Sequence, residues 1–163
     1  MLVIGIDPGT ALTGYGIVLE NSNTSLQMKA CGAIRTPAHT PDEERLCKLY
    51  ESLTAILHEN KPDCAAVEKL YFQRNVTTAL KVGQARGVIM LALAQASIPI
   101  YEYNPMDIKL AVTGYGLAEK NQVQQMVKAL LQLEKTPKPD DVADALAVAI
   151  CHAHSAKLKE LGA

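Results

Sequence analysis

The feature that most constrains this chain is its beginning. Leu2-Val3-Ile4-Gly5-Ile6 is an unbroken apolar run that stops at Asp7-Pro8-Gly9-Thr10. It reads as a strand buried on both faces that runs into a turn. A second run, Asp63-Cys64-Ala65-Ala66-Val67-Glu68, also ends on an acid. A carboxylate leaving a central strand needs a partner, because an unpaired buried charge costs on the order of several kcal/mol. Strand, helix and strand in that order favour parallel neighbours. Asp7 and Glu68 then emerge at the same carboxyl edge, where open α/β folds place their sites. Taken singly, each acid reads equally well as the cap of a turn.

Further strands are expected at Thr13 to Glu20 and Leu26 to Arg35, which form a hairpin, and at Ile98 to Tyr103. Leu46, Leu49, Leu53, Ile56 and Leu57 have helical spacing within Pro41 to Asn60. A long helix from Val76 to Ala96, rich in small residues, follows the second acidic strand, and three more helices are expected near Met106 to Val112, Glu119 to Leu131 and Asp140 to Lys159. With no repeat and no linker, residues 1–163 read as one domain. The expected class is α/β: a mixed five-stranded sheet flanked by helices on both faces.

Asp141 and Asp144 lie three apart in Pro139-Asp140-Asp141-Val142-Ala143-Asp144-Ala145-Leu146, on one face of the last helix's first turn. Acids favour helix N-termini for dipole reasons alone, and Asp140 after Pro139 fits an N-cap. Yet the apolar run from Ala145 to Ile150 requires a largely buried helix. Four acids that can converge, with no cysteine or histidine pattern among them, favour a hard cation with oxygen ligands. Mg²⁺ fits best, with Mn²⁺ as the alternative. Two such ions about 3.5–4 Å apart clamp a phosphodiester in known nucleases.

The net charge of −1 argues weakly against a nucleic-acid partner, but the charges are uneven. Between Lys69 and Lys128 there are seven Lys or Arg against three acids. A basic surface is therefore compatible with a chain that is neutral overall, although solvated helix faces would give the same pattern. Tyr71 and Phe72 stand beside Lys69, Gln73, Arg74 and Asn75, a setting in which an aromatic ring can stack on exposed bases; core burial of either ring is the alternative. Cys31, Cys47, Cys64 and Cys151 lack metal-ligand spacing and read as buried reduced thiols. His152 and His154 point to different helix faces, and the histidines are assigned surface or packing roles. The longest apolar stretch is too short to span a bilayer, and the N-terminus carries no basic segment, so a cytoplasmic protein is expected.

These residues, in this order, resemble the RuvC family of Holliday junction resolvases. Gly5-Ile6-Asp7-Pro8-Gly9-Thr10 with Thr13-Gly14-Tyr15-Gly16 is similar to the family's opening, and Val67-Glu68 to its second acidic strand end. Leu80-Lys81-Val82-Gly83-Gln84-Ala85-Arg86-Gly87 resembles its long-helix motif. Ala118-Glu119-Lys120 before Gln122-Val123, and Asp141-Val142-Ala143-Asp144-Ala145-Leu146-Ala147, resemble its last two blocks.

The resemblance implies an RNase H-like fold, with Asp7, Glu68, Asp141 and Asp144 as catalytic metal-binding acids and two ions per site. It implies a homodimer that nicks two opposed strands of a four-way DNA junction symmetrically, with a branch-migration helicase complex as a further partner. Lys109 and Lys120 fall near the site and Tyr71 at the family's stacking position. With Phe72, Arg74, Asn75, Lys81 and Arg86, Tyr71 makes up the expected DNA-binding set. The chain stops at Ala163, so no longer basic tail is expected to add DNA affinity.

Three rivals stand beside this reading. A sugar-kinase or actin-type nucleotide-binding fold opens with a similar Asp-x-Gly-Thr turn but needs about twice this length. An RNase H-like nuclease acting on RNA or single strands would use the same acids. A catalytically silent module that reads branched DNA by shape would have no need of them.

Overall fold

The computed structural model describes residues 1–70 and 76–160, excluding the side chains of residues 76 and 157–160. Five strands, β1 (Leu2–Asp7), β2 (Leu12–Glu20), β3 (Leu26–Arg35), β4 (Cys64–Glu68) and β5 (Ile100–Tyr103), form one sheet in the order β3-β2-β1-β4-β5. The strands β1, β2 and β3 run antiparallel, whereas β4 pairs in parallel with β1 and β5 in parallel with β4. Helix α1 (Asp42–Asn60) makes the crossover from the hairpin to β4, and α2 (Val76–Gln95) that from β4 to β5. They are followed by α3 (Pro105–Thr113), α4 (Lys120–Leu130) and α5 (Asp140–Glu160). The mixed sheet and its two helical layers agree with the sequence expectation.

Period-two alternation along the central strands supplies two cores, one on each face. Ile4, Ile6, Ala65 and Val67 point to one face, where Leu49, Leu53 and Leu57 of α1 and Ala85, Ile89 and Leu93 of α2 cover them. The α1 residues recur at the spacing of one helical stripe, and Asp42, Glu43 and Glu44 occupy the first turn, where the helix dipole favours acids. Val3, Cys64 and Ala66 face the opposite layer with α3, α4 and α5. The same alternation directs Asp7 and Glu68 toward that second layer.

Helix α5 is buried almost throughout from Val142 to Ala153. It lies so close to the sheet that the facing strand positions are glycine. A Cβ on Gly5 would fall 2.0 Å from the Ala145 carbonyl oxygen, and one on Gly14 2.0 Å from that of Asp141. No larger residue fits there unless the helix moves.

One sequence expectation is corrected here. Cys64 and Cys151 are buried, but Cys31 is half-buried and Cys47 is exposed. Cys47 falls between the inward positions of α1, so helical periodicity turns it to solvent.

Candidate active site

The site is assembled at the carboxyl edge of the parallel strands. Asp7 ends β1 and pairs across the hairpin with Gly14. Ile6 pairs with Val67 in the parallel register, so one residue further places Asp7 beside Glu68. The turn after Asp7 is tied by the Thr13 hydroxyl, which donates to the Gly9 carbonyl at 2.6 Å. Asp141 comes from the first turn of α5, directly over Gly14, and Asp144 follows three residues later. The four acids expected from the sequence therefore meet at one edge, delivered by two strands and one helix.

Their electrostatics follow from that crowding. Burial, then the negative charges of Glu68, Asp144 and Asp141, push the Asp7 carboxyl up to about 8. Burial and the Asp144 charge raise Glu68, opposed by Lys109 and Lys120. Asp144 is also raised, chiefly by burial, although Lys120 pulls in the other direction. Lys120 Nζ lies 2.9 Å from Asp144 Oδ2 and 3.6 Å from Asp140 Oδ2. Among the described residues, no three of these side chains close around a single point as a ready-made cation cage. The donor chemistry fits a divalent cation nonetheless: only oxygen ligands, and more negative charge than one lysine offsets.

A cavity of about 260 Å³ opens beside the acids, lined by Glu68, Lys109, Lys120 and Asp144 over an apolar floor that includes Ile108, Val123 and Val148. Both lysines expected near the site therefore border it. Lys120 is the first residue of α4, whose start is fixed by a capping box between Glu119 and Gln122. Lys109 lies on α3, which begins at Pro105 after Asn104 and ends at Gly114 in the left-handed conformation.

The expected DNA-binding residues divide. Tyr71, Phe72, Arg74 and Asn75 lie outside the described residues. Lys81 pairs with Asp42 at 3.2 Å, and both side chains are largely exposed. Arg86 also has partners within the chain: its guanidinium pairs with Glu102 on β5 and donates to Met90 Sδ. The pair with Glu102 ties α2 to the edge strand β5.

Sequence reasoning treated Asp140 only as an N-cap. In the structure it is the first residue of α5, and its carboxylate bridges Lys138 and Lys120. The run Lys138-Pro139-Asp140-Asp141 carried no signal of that role, because Lys120 comes from another helix.

A five-stranded mixed sheet in this order, with acids at the ends of adjacent parallel strands and on the helix packed over them, defines an RNase H-like nuclease. The family model for crossover junction endodeoxyribonuclease RuvC matches residues 3–152. The crossover junction endodeoxyribonuclease RuvC of Desulfitobacterium hafniense is 57% identical over 159 residues, covering 97% of this chain and 95% of that one. That of Heliobacterium modesticaldum is 59% identical over 155 residues, covering 95% of each. The structure of Thermus thermophilus RuvC in complex with Holliday junction substrate superposes with a TM-score of 0.89 at 34% identity, covering 97% of this chain and 96% of that one. The chain belongs to the RuvC family and is an endodeoxyribonuclease of crossover junctions. Membership implies use of divalent metal. It also removes the nucleotide-binding rival, and no helix among the described residues is long and apolar enough to cross a membrane.

Proposed function

We propose that this chain, as one nuclease domain over residues 1–163, binds a four-way Holliday junction and nicks two opposed strands symmetrically. Asp7, Glu68, Asp141 and Asp144 are its catalytic, metal-holding acids. The observation that carries the reading is geometric: Asp7 on the central strand stands beside Glu68 of β4 and the acids of α5, whose charges, after burial, push its carboxyl up to about 8. Only a strongly positive group makes such a set favourable in its ionised form.

Two Mg²⁺ ions, or Mn²⁺, would supply Lewis-acid stabilisation of the charge that builds on the scissile phosphate. The chain's own residues do the rest. Asp7, whose carboxyl is pushed up to about 8, would have to be ionised to hold a cation, which would tie loading to pH. Lys109 and Lys120 stand on the cavity wall with ammonium groups suited to a phosphate oxygen or to the departing oxygen. Ile108, Val123 and Val148 limit water beneath them and so strengthen those charges.

A two-fold symmetric substrate calls for a C₂ dimer with one site per subunit. The outer stripe of α2 suits that role. Leu80 and Leu91 are exposed at 63% and 52%, and a Cβ at Gly83 or Gly87 would meet only open space. Lys81, on the same helix, is a candidate phosphate contact, with Arg74, Asn75, Tyr71 and Phe72 as the sequence-derived partners for DNA. A cytoplasmic setting and a branch-migration helicase that delivers the junction complete the reading.

The test uses purified protein, Mg²⁺ or Mn²⁺, and an end-labelled synthetic four-way junction, with duplex, single-stranded DNA and RNA as controls. Paired symmetric nicks on the junction alone are expected. Equal cutting of the controls would keep the nuclease and reject the junction, and binding without cutting in either metal would reject catalysis.

A further inference from the structure

We propose that Asp140, which stands outside the four catalytic acids, is the positioning residue for Lys120. The inference rests on the reading of Lys120 as a phosphate-facing group. It follows from an alternation of charge along the mouth of the cavity. Lys138 Nζ lies 2.8 Å from Asp140 Oδ1, Lys120 Nζ 3.6 Å from Asp140 Oδ2, and the same Nζ 2.9 Å from Asp144 Oδ2. The Asp140 carboxyl is held below its ordinary range, first by Lys138 and further by Gln124, which is buried on α4 one turn after Lys120, and by Lys120 itself. Asp140 thus faces α4 at Lys120 and has its own charge balanced by Lys138.

Lys120 therefore has two acids with different duties. Asp144 belongs to the catalytic set, and a carboxylate engaged with a divalent cation cannot keep a full ion pair with an ammonium as well. Without a second acid, a half-exposed lysine would then return to solvent, because holding one rotamer of a long side chain costs conformational entropy. Asp140, one turn before Asp144 on α5, is within ion-pair distance of the same ammonium and keeps it at the cavity wall. Asp140 itself does not line the cavity and reaches it only through Lys120, which does, so its role is positional.

The test compares Asp140→Asn, Asp140→Glu and Lys120→Ala by single-turnover cleavage of prebound junction, with junction affinity and thermal stability measured in parallel. Asp140→Asn is expected to slow cleavage about fivefold, the scale of one partly exposed ion pair, with affinity and melting temperature unchanged. Asp140→Glu restores the rate, and Asp140→Asn adds nothing in a Lys120→Ala background. In the Mg²⁺-loaded protein without DNA, the ¹⁵N signal of the Lys120 ammonium should show faster hydrogen exchange in Asp140→Asn. A normal rate in Asp140→Asn beside a crippled Lys120→Ala overturns the positioning role and leaves the role of Lys120 intact. A normal rate in Lys120→Ala overturns both. Additive losses in the double variant, or an unchanged Lys120 ammonium signal, also overturn the positioning role.

Discussion

Gly14 and Asp141 are in backbone contact: the position a Cβ would take on Gly14 lies 2.0 Å from the Asp141 carbonyl oxygen. Gly14 is also the residue that pairs with Asp7 across the β1–β2 hairpin. One glycine therefore sets the height of α5 above the sheet at the point where the acids gather. Gly5 and Gly16 extend the same close approach along the helix.

Gly14→Ala should separate α5 from β2. Overpacking of this kind costs about 1–3 kcal/mol, and the contact here is with backbone, which cannot swing aside. A lower urea midpoint is expected, with a loss of cleavage larger than the remaining folded fraction explains. A variant with the wild-type midpoint and rate would show that the helix height does not govern the site.

Asp7→Asn should end cleavage while leaving junction binding intact or tighter, since it removes a ligand and a negative charge. It also carries a stability signature. The folded carboxyl titrates near 8, above its ordinary value of 3.8. The contribution of the neutral form is full below about pH 4 and is lost as pH rises through 8, at roughly 1.4 kcal/mol per pH unit. Metal-free wild type should therefore weaken between pH 5 and pH 8, and Asp7→Asn should weaken less. Parallel melting curves for the two proteins in chelator would contradict the assignment.

Arg86→Ala should act on stability more than on DNA. Loss of the Glu102 pair from half-buried positions is expected to cost about 1 kcal/mol, read from the denaturation midpoint. The dependence of junction affinity on salt should keep its slope, because no phosphate contact is removed. A shallower slope would return Arg86 to the DNA surface.

Gly87→Leu tests the outer stripe of α2. The position is open in the single chain, so the substitution should fold and raise helix propensity. A close helix pairing would be blocked, moving the sedimentation profile toward monomer and converting paired nicks to single ones. An unchanged dimer would place the interface elsewhere.

The alternation in β1 and β4, the leucine stripe of α1 and the apolar run of α5 were legible in the chain because local sequence period decides which face of an element is buried. They sufficed for the sheet, both helical layers and the four acids, and the order of motifs supplied the family. Tertiary structure alone decided that Arg86 turns to Glu102, that Cys47 faces solvent and that Asp140 reaches Lys120. Each of the two ion pairs joins elements far enough apart in sequence that no local pattern records it, and an exposed or half-buried charge keeps several rotamers until a neighbour selects one. Burial is written along the chain, one residue at a time, but charge pairing depends on which elements meet.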